Sequence, residues 1–162
     1  MANQSAPVHF PPIEEFQTMK LKELIYEIVK CCEDRRIYEN QKFGIPYAAV
    51  QCLLLFRDER YLTVKTIALR LEVAKSRVTK LINGLIGKSL VKRIDDPQDS
   101  RIKLISLTPE GREKVREIET FHFELHNKLL KRIHPHEREG LLACLENLKY
   151  YMDAVKQELI EE

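Results

Sequence analysis

Two short amphipathic helices in direct succession place the strongest limit on how this chain can fold. The first is predicted over residues 64–71, where apolar side chains recur at helical spacing and Thr63 is a suitable N-cap. The second is predicted over residues 75–88, with an apolar side formed by Val78, Leu81, Ile82 and Leu85. Its opposite side is polar and basic, and carries Lys75, Ser76, Arg77, Lys80 and Asn83. Two such helices joined by a short turn are typical of a helix-turn-helix unit.

A polar hairpin follows the second helix. Residues 90–94 and 103–107 have the composition of short strands, and the acidic segment 95–100 between them predicts the connecting loop. Thr108, Pro109 and Glu110 then supply a cap, a proline at the first helical position and an acid near the positive end of a new helix. This order of elements predicts a mainly α (α+β) fold with a winged helix-turn-helix core.

The charge of the chain is unevenly distributed. The net charge is only +2, yet residues 57–103 contain twelve Lys or Arg against six Asp or Glu, whereas the remainder has fifteen against nineteen. A basic face of this kind is typical of a protein that binds a polyanion, and a merely soluble domain does not need one. The charge pattern therefore favours double-stranded DNA as the partner of the helix-turn-helix unit.

Long helices are predicted on both sides of this unit. A first helix over about residues 14–40 is predicted to bury one apolar face, formed by Leu21, Leu24, Ile25, Ile28 and Cys32. Pro46 is predicted as the first residue of a second helix that continues to about Arg57, with inward residues Val50, Leu53 and Leu54. The helix that starts after Thr108 is expected to reach about Arg132, with inward residues Val115, Ile118, His122, Leu125 and Leu129.

The last helix, from about His134, has apolar residues at a strict 4-3-4-3-4 spacing: Leu141, Leu145, Leu148, Met152, Val155 and Leu159. A mean spacing of 3.5 is typical of a seam between two helices rather than of a wide core face. We therefore expect the terminal helices to form a homodimer, with packing of this helix on its own domain as the alternative.

No apolar run approaches the length needed to cross a bilayer, and residues 1–12 resemble a flexible arm rather than a secretion signal. The four cysteines show no C-x-x-C spacing; they are Cys31, Cys32, Cys52 and Cys144. We expect them to be buried, reduced thiols in a cytoplasmic protein. A redox sensor remains open, because Arg35 and Arg36 follow the first pair.

The chain resembles the MarR family of bacterial transcriptional regulators over about residues 45–115. The resemblance rests on Leu62-Thr63-Val64-Lys65, Lys75-Ser76-Arg77-Val78-Thr79-Lys80-Leu81-Ile82, Leu90-Val91 with Arg93, and the wing Asp95-Asp96-Pro97-Gln98-Asp99-Ser100-Arg101 followed by Ile105-Ser106-Leu107-Thr108-Pro109-Glu110-Gly111. It implies a single domain over 13–162, in which 46–108 is the winged helix DNA-binding part and 13–45 plus 109–162 are dimerisation helices. Three positions depart from the family pattern. Ala74 stands at the start of the second helix, where members often have a Ser cap, and Asn83 replaces a common acidic residue within it. Ser89 replaces the usual Gly at its end, where φ > 0 is favoured.

The resemblance implies a DNA-binding face on this helix and on the hairpin. The second helix of such a unit enters the major groove with its N-terminal half against base edges. The residues expected to face the groove are therefore Ser76, Arg77 and Lys80. We expect Arg77 to contact a base, Lys75 and Lys80 to contact phosphates, and Thr79 to contact a phosphate or a thymine methyl. The resemblance also implies that Arg101 enters the minor groove with Asp99 as its orienting partner, while Arg93 and Lys103 add backbone contacts.

Members of the family commonly bind a small, often aromatic or acidic effector, and candidate lining residues are Arg36, Tyr38, Tyr47 and Phe56. A zinc-responsive alternative rests on His122 and His126, which share a helix face and could be joined by acids or Cys31 from the first helix. No spacing fixes such a set, so no metal and no cofactor is expected.

The sequence contains no catalytic motif. The stretch from His122 to His126 is not H-E-x-x-H, and there is no G-x-S-x-G or P-loop. The function predicted is a homodimeric repressor that binds a pseudo-palindromic operator and is released by a small-molecule effector. The alternatives are a zinc- or redox-responsive regulator of the same fold and a winged helix used for protein contacts.

Overall fold

The computed structural model describes residues 12–99 and 102–161. It divides the chain into two compact units, with the boundary between Cys52 and Leu53. The predicted arm, apart from Pro12, and the wing residues Ser100 and Arg101 lie outside the described residues.

The first unit contains α1 (Glu15–Phe43) and most of α2 (Tyr47–Leu54). A capping box between Glu14 and Gln17 starts α1, and Gly44 ends it in the left-handed conformation at φ 64°. The predicted interruption between the two helices is confirmed. Pro46 lies just before α2 rather than within it, because its carbonyl accepts the first helical hydrogen bonds from Ala49 and Val50.

The expectation that α1 buries its apolar stripe is wrong for the described chain. Leu21, Leu24 and Ile28 are 49%, 43% and 55% exposed, and Ile25 and Cys32 are only half-buried. Helical periodicity shows that a face is apolar but not what covers it.

The second unit is built around a three-stranded antiparallel sheet. Its elements are β1 (Leu62–Thr63), α3 (Val64–Arg70), α4 (Lys75–Gly87), β2 (Val91–Asp95) and β3 (Lys103–Leu107), and the strand order is β1-β3-β2. The helix-turn-helix and the hairpin are therefore where the sequence predicts them. Strand β1 was not predicted, because two residues are too short to show an alternating pattern.

Caps fix the helix starts of this unit. The Thr63 hydroxyl accepts a hydrogen bond from the backbone of Thr66 at 3.1 Å, and the Thr108 hydroxyl accepts one from Gly111 at 2.9 Å. Both N-caps predicted from the sequence are thus confirmed. The core below the helices is apolar and fully or almost fully buried; it includes Ile67, Val78, Ile82, Leu85, Val91, Ile105 and Ile118.

Two helices complete the chain: α5 (Pro109–Lys131) and, after a short 3-10 turn over Pro135–Glu137, α6 (Arg138–Glu161). Val115 and Ile118 of α5 are buried as predicted, but Leu129 is 58% exposed, and His122 and Leu125 are only half-buried. No residue of α6 is buried among those described. The seam of α6 is therefore not packed on its own domain, and the alternative to a dimer seam is wrong for this structure. No helix within the described residues is long and apolar enough to cross a membrane.

Candidate nucleic-acid interface

Helix α4 separates an apolar side from a polar one. Val78, Ile82 and Leu85 are buried at 0–1% exposure and anchor the helix to the core. The other side is exposed and presents the residues predicted to contact DNA: Lys75, Ser76, Arg77, Thr79 and Lys80. A helix anchored in this way holds its basic side in a fixed orientation towards a partner.

Local hydrogen bonds define the role open to Thr79 and the start of the helix at Ala74. The Thr79 hydroxyl donates a hydrogen bond to the Lys75 carbonyl at 3.0 Å, which occupies its proton within the helix. Thr79 is therefore better suited to an apolar contact than to donation to a phosphate. Ala74 is the N-cap and makes no side-chain hydrogen bond, as the sequence indicated.

The hairpin formed by β2 and β3 is the wing. Arg93 faces Ile105 in the register of the two strands, and its Nη2 donates a 2.5 Å hydrogen bond to the Asn83 side-chain oxygen on α4. Lys103 pairs with Asp95 across the strands, with Nζ 2.5 Å from the carboxylate oxygen. All four side chains are exposed, so the wing and α4 share one polar surface.

The described part of the wing tip is closed by its own backbone. The amide of Asp96 donates to the Ile102 carbonyl at 3.1 Å, and the amide of Ile102 donates to the Asp99 carbonyl at 2.9 Å. The Asp96 carboxylate accepts a further bond from the Gln98 amide at 2.8 Å. Since Arg101 lies outside the described residues, its pairing with Asp99 stays a prediction.

A compact joint connects α4, the wing and α5. Ser89 follows α4 in the left-handed conformation at φ 58°, which is the conformation that the position was expected to need. The Thr108 hydroxyl donates to the Ser89 carbonyl at 2.6 Å and also lies 3.2 Å from the Leu90 carbonyl oxygen. Gly111 is buried in this joint, where a Cβ atom would lie 1.9 Å from the Leu90 oxygen. The start of the wing is thus fixed to the start of α5.

A cleft of about 630 Å³ lies on the second unit between the segment 56–61, the wing strands and α5. Its apolar lining includes the buried residues Phe56, Leu107 and Val115. Its charged lining comprises Arg57, Asp58, Glu59, Arg60, Lys92, Arg112, Arg116 and Glu119. Arg57 is ion-paired with Glu119, and cations outnumber acids in this lining.

The predicted effector residues fall in both units. The Arg36 guanidinium lies 4.7 Å from the centre of the Tyr47 ring, so these two are brought together in the first unit. Tyr38 is 53% exposed on α1. Phe56 lies in the second unit, where it lines the cleft described above.

The sensor alternatives find little support. His122 and His126 have ring centres 6.5 Å apart, and His126 Nδ1 lies 2.6 Å from the His122 carbonyl oxygen. No group of three metal-ligating side chains occurs in the part of the chain that the structure describes. The expectation of four buried cysteines is wrong, because Cys31 on α1 and Cys144 on α6 are exposed. Only Cys52 is buried, and burial raises the pKa of its thiol to about 12.

Asn83 and Lys92 belong to the surfaces described above but were not predicted to have a role. Asn83 appeared in the sequence on the polar side of the second helix and as a departure from the family pattern, and Lys92 only as part of a strand. Alternation along β2 could have separated Lys92 from Arg93, because neighbouring residues of a strand point to opposite faces. No sequence signal indicates the hydrogen bond between Asn83 and Arg93.

The arrangement of α3, α4 and the β2–β3 hairpin defines a winged helix-turn-helix protein with a basic polar face. A model described as the MarR family matches residues 43–102. The chain is 24% identical over 106 residues to the uncharacterized HTH-type transcriptional regulator YdgJ of Bacillus subtilis, covering 65% of each chain. It is 35% identical over 78 residues to the HTH-type transcriptional repressor MdtR of the same organism, covering 48% of this chain and 50% of MdtR.

Among solved structures, Streptococcus pneumoniae FabT in complex with DNA has a TM-score of 0.74 at 18% identity, over 83% of this chain and 99% of that one. This likeness supports the fold. Over residues 43–102 the chain is similar to the MarR family, whose members are transcriptional regulators.

Proposed function

We propose that this protein is a homodimeric transcriptional repressor that binds a pseudo-palindromic operator and is released by a small-molecule effector. The observation that carries the proposal is the exposed basic side of α4 above a fully buried apolar side. A helix anchored in this way can enter the major groove with its N-terminal half. The relatives agree with this function, since MdtR is named a transcriptional repressor and the FabT structure is a complex with DNA.

The residues of α4 divide into two roles. The fork of Arg77 can donate two hydrogen bonds to guanine, so it is proposed to read a base. Lys75 and Lys80 supply charge for phosphates, and Ser76 lies between them on the same exposed side. The methyl group of Thr79 is available for a thymine because its hydroxyl is bonded within the helix.

The wing supplies the second set of contacts. Arg93 and Lys103 are exposed on its strands and are proposed to contact the DNA backbone. Lys103 forms an ion pair with Asp95, which makes Arg93 the stronger candidate for a phosphate contact. Arg101, oriented by Asp99, is proposed to enter the minor groove; Arg is the residue suited to a narrow groove of negative potential.

The exposed seam of α6 supports the homodimer. Leu145, Met152 and Val155 are 47–52% exposed at positions that repeat every 3.5 residues. A second copy of the chain would cover this seam and the apolar face of α1. The dimer would place its two α4 helices about 34 Å apart on one face of DNA. Met152→Glu should shift the protein towards monomer in sedimentation velocity. A wild-type protein that is monomeric at micromolar concentration would contradict the dimer.

The cleft of the second unit supports an effector with an apolar body and a negative group. Phe56 and Val115 offer apolar surface, and the excess of Arg and Lys favours an anion. Within the first unit, Arg36, Tyr38 and Tyr47 are proposed as a separate set of candidate effector contacts. Release of operator DNA by 2-naphthoate but not by the neutral 2-naphthamide would support an anionic effector, and equal effects of both compounds would contradict it.

The DNA-binding role is tested by selecting a duplex from a random pool and measuring its affinity over a salt series. Affinity should fall steeply with salt because phosphate contacts release counterions. Arg77→Lys keeps the charge but removes the fork, so it should leave the salt slope unchanged and weaken discrimination at one base pair per half-site by about 1–3 kcal/mol. Weak binding that is insensitive to salt would instead favour a winged helix used for protein contacts.

A further inference from the structure

A neutral side chain connects α4 to the wing. Asn83 lies on the exposed side of α4, and its side-chain oxygen accepts a 2.5 Å hydrogen bond from Nη2 of Arg93 on β2. Both residues are exposed and lie ten positions apart in the chain. The bond uses one of the five N–H donors of the guanidinium and leaves the others available.

The second cation of the wing is held in a different way. Lys103 lies 2.5 Å from the carboxylate of Asp95, and this ion pair compensates its charge. Val91, Arg93 and Asp95 alternate onto one face of β2, so Asp95 is the acid nearest to Arg93 along its own strand face. Because Asp95 pairs with Lys103, Arg93 keeps its full charge, and it has no ion-pair partner among residues 12–99 and 102–161.

We propose that Asn83 is a positioning residue that orients the Arg93 guanidinium towards a DNA phosphate beside the groove read by α4 without cancelling its charge. An amide oxygen can fix the direction of a guanidinium but carries no net charge, whereas a carboxylate does both. Orientation before binding lowers the conformational entropy that the arginine loses in the complex. This inference rests on the proposed DNA-binding function.

Asn83→Asp is the critical variant. It keeps an acceptor oxygen at the same position and adds one negative charge, so the connection to the wing is retained and the thermal midpoint should not fall. Operator affinity should fall. The slope of log K against log salt should become less negative by about 0.9 for each protomer bound. The ratio of wild-type affinity to variant affinity should therefore shrink about 3.5-fold for each protomer bound between 50 and 200 mM salt.

Asn83→Ala removes the hydrogen bond and adds no charge. The salt slope should stay unchanged, and affinity should fall by about two- to tenfold because Arg93 must be ordered on binding. In an Arg93→Ala background the same substitution should have no further effect. A merely structural role of Asn83 would lower the thermal midpoint in both backgrounds and would not depend on Arg93.

Asn147→Asp is the matched control, since it makes the same chemical change at an exposed position of α6. Affinity and slope are measured by fluorescence anisotropy on the duplex that the wild-type protein selects. If Asn83→Asp binds that duplex with the wild-type slope, or behaves like Asn147→Asp, the inference is overturned while the proposed function stands. If the wild-type protein selects no duplex at low salt, both fall.

Discussion

Replacing Gly111 with alanine should force apart the two segments that fix the wing to α5. A Cβ atom at this position would lie 1.9 Å from the Leu90 carbonyl oxygen and 3.2 Å from a methyl group of Leu107. The first distance is about 1 Å shorter than side-chain carbon atoms tolerate, and the obstructing atom is backbone, so no rotamer change can relieve it.

The size of the effect follows from the contacts of that oxygen. The Leu90 carbonyl accepts from the Thr108 amide at 3.1 Å and lies 3.2 Å from the Thr108 hydroxyl. A shift of about 1 Å stretches the hydrogen bond from the Thr108 amide, worth about 0.5–1.5 kcal/mol, and overpacking adds about 1–3 kcal/mol. Alanine offsets about 0.5–1 kcal/mol through its better helix propensity. We expect Gly111→Ala to lower the free energy of unfolding by about 1–4 kcal/mol.

Gly140→Ala is the matched control. Gly140 is also the third residue of its helix, but it is exposed, and a Cβ atom added there would meet no described atom within 4 Å beyond its own helix backbone. There alanine should raise the free energy of unfolding by up to about 1 kcal/mol. Urea unfolding followed by circular dichroism at fixed protein concentration measures both variants. If Gly111→Ala is as stable as wild type or as Gly140→Ala, the close approach to Leu90 is not a constraint and the reasoning fails.

Three further substitutions or treatments test single features. Ala74→Ser should stabilise the protein by about 0.5–1 kcal/mol, because the serine hydroxyl can accept a hydrogen bond from the Arg77 amide at an uncapped helix start. A loss of stability in urea unfolding would contradict this. Ser89→Gly should raise the free energy of unfolding by about 0.5–1 kcal/mol at φ 58°, whereas Lys88→Gly at φ −96° should lower it. Mass spectrometry after alkylation at pH 8 should find Cys52 unmodified in the native protein and modified in denaturant, since burial raises its thiol pKa to about 12; rapid native modification would show that the site opens.

Much of the winged helix unit could be predicted because its signals are local. Thr63 and Thr108 cap the helices that follow them, and the apolar spacing of α4 identified its buried side. Positive φ at Ser89 followed from its place at a helix end. These features depend on residues within one turn of each other, so the sequence contains them directly.

Features that join distant segments could not be predicted. The hydrogen bond from Arg93 to Asn83 depends on how β2 leaves the joint after α4, and strand β1 exists because β3 lies beside it. The exposure of Leu21 on α1 was missed for another reason. Periodicity measures the polarity of a helix face, whereas burial depends on which surface meets that face.

The position of β2 at the edge of the sheet has a consequence for solubility. Strand β3 lies between β1 and β2, so the outer side of β2 presents backbone groups that could pair with a strand of another molecule. Lys92, Arg93 and Asp95 are exposed along this edge, and charged side chains oppose edge-to-edge association. Variants that remove several of these charges to weaken nucleic-acid binding should therefore also be more prone to aggregate.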